Sequence, residues 1–155
     1  MKFTITKRYP EICVGHRIHN AGTHCALLHG YARTVEVTIG TNTLDERGWV
    51  YNLGDMRFIK EMLYDSWDHK FLVSSDDPLL DDLKALEAKG GIALNIMDKK
   101  LGYGPSLEGS CVYLADKIGH EVDRLSEGRA HLLKIEIWEK TDNRASLSFR
   151  PGTFS

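Results

Sequence analysis

The sequence predicts one α+β domain with antiparallel hairpins, and three patterns predict it. Apolar and polar residues alternate in two stretches near the N-terminus and two near the C-terminus, the period of half-buried strands. Between those pairs the apolar residues recur at three and four, the period of helices lying on a core. No repeat or linker divides the 155 residues, which are enough for one respectable core. Strands, then helices, then strands is an order that belongs to the α+β class.

Residues 2–8 form the first strand, with Phe3 and Ile5 on one face. Residues 31–40 form the second, with Arg33, Val35, Val37 and Ile39 sharing a parity. Gly40-Thr41-Asn42 and Asp45-Glu46-Arg47-Gly48 punctuate the turn after it. Met56, Ile59, Met62 and Leu63 mark an amphipathic helix over 54–65, opened by Asn52 or Asp55. Asp76-Asp77-Pro78 starts a shorter helix with Leu79, Leu80, Leu83 and Leu86 on one side, stopped by Gly90-Gly91. Residues 92–96 suit a short edge strand, and Gly102-Tyr103-Gly104-Pro105 a turn. Ser106 caps a longer helix on which Cys111, Ala115, Ile118, Val122 and Leu125 repeat at four and three. After Ser126-Glu127-Gly128, residues 131–139 alternate, with Leu133, Ile135 and Ile137 facing one way and Lys134, Glu136 and Trp138 the other. Thr141-Asp142-Asn143 turns the chain into a returning strand over 145–149. A sheet this small leaves long edges, which predicts pairing with other copies.

A formal net charge of -2 gives no electrostatic reason to expect nucleic acid or an anionic membrane as partner. No apolar run approaches the length of a membrane span. The alternating, charged N-terminus does not read as a signal peptide. Three cysteines without framework spacing favour reduced thiols in a cytoplasm.

Chemistry concentrates between Val14 and Tyr31, which hold four of the seven histidines, His16, His19, His24 and His29, beside Cys25. Crowding imidazoles beside a thiol at the mouth of a strand points to a site that holds a transition metal and moves protons. His29 and Tyr31 share the parity of Val35, Val37 and Ile39, so both aim at whatever that face covers. His16 adds a ligand from the preceding strand end or loop. Zinc suits imidazole, and a three-ligand set leaves one position open for substrate. Tyr31 reads either as a ligand or as ordinary packing. Glu139 continues the parity of Ile135 and Ile137: it is a recessed anion gripping a nitrogen-rich ligand, or a solvated residue past the strand end. Asp68-His69 follows the first helix as an acid able to hold an imidazole's tautomer for general-base work. Cys25 reads as a thiolate if a metal or imidazolium lies near, and otherwise as a buried inert thiol. Cys111, on a helix core face, reads as an inert one.

Together these residues resemble the 6-pyruvoyl-tetrahydropterin synthase / 6-carboxy-tetrahydropterin synthase family over nearly the whole chain, in matching order. Gly15-His16-Arg17 resembles its first-strand histidine motif, and Cys25-Ala26-Leu27-Leu28-His29-Gly30-Tyr31 its Cys-x-x-Leu-His-Gly-His motif. Residues 48–56 resemble the segment entering its first helix, and Trp67-Asp68-His69-Lys70 its Leu-Asp-His motif. Pro105-Ser106-Leu107-Glu108 resembles its Pro-Thr-x-Glu, and Trp138-Glu139 the glutamate of its third strand.

The resemblance implies the tunnelling fold: an antiparallel sheet of two hairpins with helices on one face. It also implies trimers closing a barrel of strands, commonly stacked into hexamers, with active sites between subunits. The implied substrate is 7,8-dihydroneopterin triphosphate and the implied cofactor Zn2+, held by His16, His29 and the position of Tyr31. Glu139 would anchor the pterin ring and Glu108 orient it. Cys25 would be the proton-moving thiol, with Asp68 and His69 as the partnered acid/base. In the carboxy branch the side chain is cleaved to acetaldehyde and triphosphate, leaving 6-carboxy-tetrahydropterin for 7-deazaguanine and queuosine synthesis. The short Cys25-to-His29 spacing resembles that branch. Asn52-Leu53 and Asp68-His69-Lys70 look more like the pyruvoyl branch, which eliminates triphosphate.

Two departures from the family pattern stand out. Tyr31 occupies the place of the third histidine, and a phenol's high reference pKa makes it a poorer zinc ligand. His19 or His24 are the alternatives, and a non-catalytic pterin- or purine-binding homologue is the competing reading. Residues 71–104 also exceed the family pattern and add the Pro78–Lys89 helix, within what reads as one domain over 1–155. Lys7, Arg8, Arg17 and Arg33 are the cations available to a triphosphate, although charged side chains ordinarily lie on the surface.

Overall fold

A single bulge decides which face the end of the first strand presents. In the computed structural model, which describes residues 1–154, β1 spans Phe3–His16 and β2 spans His29–Thr41. They pair antiparallel from Phe3 with Thr41 to His16 with His29, and the register slips between Tyr9 and Ile12. Glu11 sits there in the left-handed region, at φ 60. Before the slip Tyr9 is buried; after it Ile12, Val14 and His16 are. One extra residue thus exchanges odd for even parity and carries His16 to the core side.

The remaining elements are α1 (Arg57–Ser66), β3 (Lys70–Ser74), α2 (Leu80–Ala88), β4 (Leu94–Met97), α3 (Leu107–Leu125), β5 (Ala130–Trp138) and β6 (Arg144–Ser148). Short 3-10 turns cover His24–Ala26 and Lys99–Leu101. The sheet order is β4-β3-β1-β2-β5-β6. Its middle is the two expected hairpins, with β2 and β5 antiparallel to each other. The long central segment extends that sheet, because β3 runs parallel to β1 and β4 parallel to β3. Ile59 and Leu63 of α1 and Leu114, Ile118 and Val122 of α3 join Val35, Val37, Ile39, Ile135 and Ile137 in one core. Each such side chain contributes about 1.5–3 kcal/mol by leaving water.

Several local expectations change. Neither Asn52 nor Asp55 caps α1: the N-cap is Met56, with no side-chain cap bond. Asn52 Oδ1 instead accepts from the Gly54 amide at 3.0 Å, closing a side-chain turn ahead of the helix. In β5 the inward residue is Leu132 rather than Leu133, because the register with β2 slips between Thr38 and Ile39. Of the α2 leucines only Leu83 is buried, while Leu79 and Leu86 are exposed, as is Leu125 at the end of α3. Lys70–Ser74 is a strand that no alternation announced. A strand among other strands is apolar throughout and has no period to read.

Candidate active site

The sheet converges chemistry at the end where β1 stops and β2 begins. His16 and His29 are cross-strand partners, and their rings stand 4.3 Å apart between centroids. Gly30 has to follow His29, since a Cβ there would lie 2.7 Å from the Val14 carbonyl oxygen. His16 is 3 % exposed, and its Nδ1 has no hydrogen-bond partner. Burial first, then the Arg33 charge and His29, pushes its pKa from 6.5 down to about 3, so the imidazole is neutral at neutral pH. His29 Nδ1 lies 2.7 Å from the Leu27 carbonyl oxygen. A carbonyl can only accept, so Nδ1 carries a proton and Nε2 is the nitrogen left to face a metal.

Glu139 follows the last residue of β5 on the parity of Ile135 and Ile137, and its amide donates to the Asn143 carbonyl at 3.0 Å. One of its carboxylate oxygens and one ring nitrogen each of His16 and His29 all lie within 4.8 Å of one another. The Tyr31 ring stands beside them, its centroid 5.9 Å from His16 and 5.6 Å from His29, edge-on to the latter. The Lys140 ammonium lies 5.6 Å over that phenol ring. A buried nitrogen without a partner, a second imidazole fixed in the right tautomer and an anion within reach of both make a donor set that fits a divalent transition-metal ion. His19 and His24 lie outside this group. His19 is 3.9 Å from Asp77, and His24 is exposed in its 3-10 turn.

Beneath the group lies Arg33, fully buried rather than at the surface. Its Nη1 donates to Ser110 Oγ at 3.1 Å and its Nη2 to the Pro105 carbonyl at 2.8 Å. The guanidinium also sits 5.9 Å from the Trp67 ring. Burial lowers its pKa to about 10, against the opposing charges of Glu139, Cys111 and Glu108. The signal was in the sequence: Arg33 shares the inward parity of Val35, Val37 and Ile39. Glu108 occupies the first turn of α3, one residue before the Gly109 amide that donates to Ser106 Oγ at 3.0 Å.

Cys25 is half-buried in the first 3-10 turn; its amide donates to Thr23 Oγ1 at 3.3 Å, and its carbonyl accepts from the Ile18 amide at 2.8 Å. Asp68 and His69 run along the other edge of β1. Asp68 Oδ1 accepts from the Cys13 amide at 2.9 Å, and Asp68 Oδ2 from His69 Nδ1 at 2.8 Å. Burial raises the Asp68 pKa, but these two bonds outweigh it and hold the carboxyl below its ordinary range. His69 takes a left-handed backbone at φ 56, a strained conformation of the kind found at functional positions. Its side chain is 80 % exposed. It lines a cleft of about 270 Å³ with Cys13, Gly15 and Phe71. Cys13 and Gly15 have the parity opposite to His16, so one chain keeps this imidazole apart from the metal-type pair.

Comparison with known proteins matches residues 4–149 to the family described as 6-pyruvoyl tetrahydropterin synthase. The chain is 26% identical over 122 residues to the 6-carboxy-5,6,7,8-tetrahydropterin synthase of Aquifex aeolicus, covering 78% of this chain and 74% of that one. It is 32% identical over 89 residues to a probable 6-carboxy-5,6,7,8-tetrahydropterin synthase of Halobacterium salinarum, covering 57% and 55%. An uncharacterized Wolinella succinogenes protein superposes with a TM-score of 0.80 at 18% identity, over 96% of this chain and 98% of that one. The 6-pyruvoyl tetrahydropterin synthase of Caenorhabditis elegans superposes with a TM-score of 0.63 at 17% identity, over 96% of each. These structures share the tunnelling fold that the motifs imply. No helix among the described residues is long and apolar enough to cross a membrane.

Proposed function

The chain belongs to the 6-pyruvoyl tetrahydropterin synthase family, and from that membership we propose that it is a zinc-dependent lyase of the 6-carboxy-5,6,7,8-tetrahydropterin synthase type. Its substrate on this reading is 7,8-dihydroneopterin triphosphate, and its setting the cytoplasmic synthesis of 7-deazaguanines such as queuosine. The observation that carries the reading is the His16–His29 pair, one ring buried and the other half-buried, 4.3 Å between ring centroids, with a carboxylate beside it. The curated relatives described above, which bear the carboxy-type name, support the choice of branch.

Zinc at that pair supplies Lewis acidity toward the oxygens of the pterin side chain. The chain's own residues do the rest. Glu108, projecting from the first turn of α3, accepts hydrogen bonds from the ring's N–H groups. Arg33 holds the Pro105 carbonyl and so fixes the turn from which Glu108 projects. Cys25 takes a proton from a side-chain carbon. His69 donates from Nδ1 to Asp68, which leaves Nε2 to accept a proton and return it. On one chain this imidazole opens onto a cleft away from the His16–His29 pair, and on this reading a neighbouring copy in a homotrimer or hexamer, the assembly the family resemblance implies, brings its own Asp68 and His69 to Cys25.

The test is direct. Zinc-loaded protein given 7,8-dihydroneopterin triphosphate is expected to release acetaldehyde and form a 6-carboxy-pterin, and Cys25→Ala to stop it. A 6-pyruvoyl product would move the chain to the other branch. No turnover by protein that holds zinc would refute the lyase reading.

A further inference from the structure

We propose that Glu139 is the third ligand of the metal, so that the centre is two imidazoles and a carboxylate rather than three imidazoles, and the phenol of Tyr31 is a wall of the site. The inference rests on the reading that His16 and His29 hold zinc, and goes beyond it in assigning the ligand that the Tyr31 substitution leaves open.

Geometry is the first argument. Among the described residues the Glu139 carboxylate is the acid that reaches both imidazoles, with all three donor atoms inside 4.8 Å of one another. Its backbone is held for this beyond the end of β5 by the bond from its amide to Asn143. Donor chemistry is the second. A carboxylate is already anionic at neutral pH, whereas a phenol must give up a proton whose reference pKa lies about six units higher. Tyr31 also meets His29 edge-on, as an aromatic packs, at 87° between planes.

Charge balance is the third. Thr34 pairs with Trp138, so the next residues inward, Arg33 and Glu139, lie side by side on the buried parity. A divalent ion at the imidazole pair would stand close to the fully buried Arg33 cation, and like charges in a core repel unless an anion joins them. Glu139 supplies that anion. The assignment has a consequence for substrate binding: with Glu139 on the metal, anchoring of the pterin ring falls to Glu108.

The measurement is zinc affinity, taken without any pterin by competition with a chromogenic chelator at neutral pH. Glu139→Gln is expected to weaken zinc by at least about 10–100-fold, since a lost ligand costs no less than a lost outer-shell partner. Tyr31→Phe is expected to stay within about twofold, since packing survives loss of the hydroxyl. With Co2+ in place of zinc, Glu139→Gln should alter the visible absorption bands and Tyr31→Phe should leave them unchanged. Thermal melts of the metal-free variants separate ligand loss from misfolding. Zinc affinity retained in Glu139→Gln, or lost in Tyr31→Phe with the melt unchanged, overturns the assignment. Because no substrate is present, failure of the lyase reading would leave this result standing, and failure of this result would leave turnover to be judged on its own.

Discussion

Arg33 shows what a single residue is asked to do. It places a permanent charge in a core where the alternative occupants are apolar, and it holds two acceptors, Ser110 Oγ and the Pro105 carbonyl. Removing one partner of a buried network costs more than the network contributes, because the other partners stay buried without water. Arg33→Met, which keeps the volume, is expected to lower stability by about 2–4 kcal/mol in urea denaturation. Cys111 makes the complementary case. Burial pushes its thiol from 9.0 up to about 12, while Cys13 is exposed and Cys25 half-buried. Alkylation at pH 8 should therefore label Cys13 and Cys25 first and Cys111 only on unfolding, as peptide mapping would show. The sign for stability follows from the same shift. The unfolded chain ionises this thiol near 9.0 and the folded chain only at about 12. Unfolding therefore releases a proton between those values, and stability falls as pH rises through that window.

Two close contacts hold the elements that flank the site. Asp77, its side chain fully buried in the central insertion, lies 3.1 Å from Arg17 Nε. Arg17 follows His16 directly, so the insertion reaches back to hold the loop leaving the metal-type site. Asp77→Ala leaves that guanidinium without its counter-charge and should cost roughly 3 kcal/mol in a urea melt. A double-mutant cycle with Arg17→Ala should show most of that cost to be shared. The second contact is between backbones. A Cβ on Gly109 would lie 2.7 Å from the Gly104 amide nitrogen, and backbone cannot yield as a side chain can. Gly109→Ala should push the start of α3 outward and cost about 1–3 kcal/mol. It should also raise KM for the pterin more than it lowers kcat, because it displaces Glu108 without touching Cys25.

At the scale of the molecule the sheet ends on β4 and β6, and one copy turns His69 into a cleft with Cys13 and Gly15, on the face of β1 opposite to His16. If neighbouring copies complete each site, two inactive proteins should rescue one another. Mixed and co-refolded in equal amounts, Cys25→Ala and His69→Ala should recover roughly a quarter of wild-type turnover, the share of sites drawing both intact residues in a random cyclic assembly. Recovery of none, with mixed oligomers confirmed by native mass spectrometry, would put thiol and imidazole in the same copy.

The fold class, the two hairpins, α3 and its Ser106 cap were legible in the sequence, because alternation, helical spacing and capping act between near neighbours in the chain. The pairing of His16 with His29 was foreseeable in kind from their motifs. Other features depend on parts of the chain that meet only in space. The bulge at Glu11 turns His16 inward, and the slip beside Leu133 buries Leu132 instead. Packing against α3 and Trp67 hides the Arg33 charge, and the end of β5 brings Glu139 to the imidazoles. Composition and spacing could nominate residues. Only the register between strands could choose which of them share a face, since a shift of one residue reverses every side chain that follows.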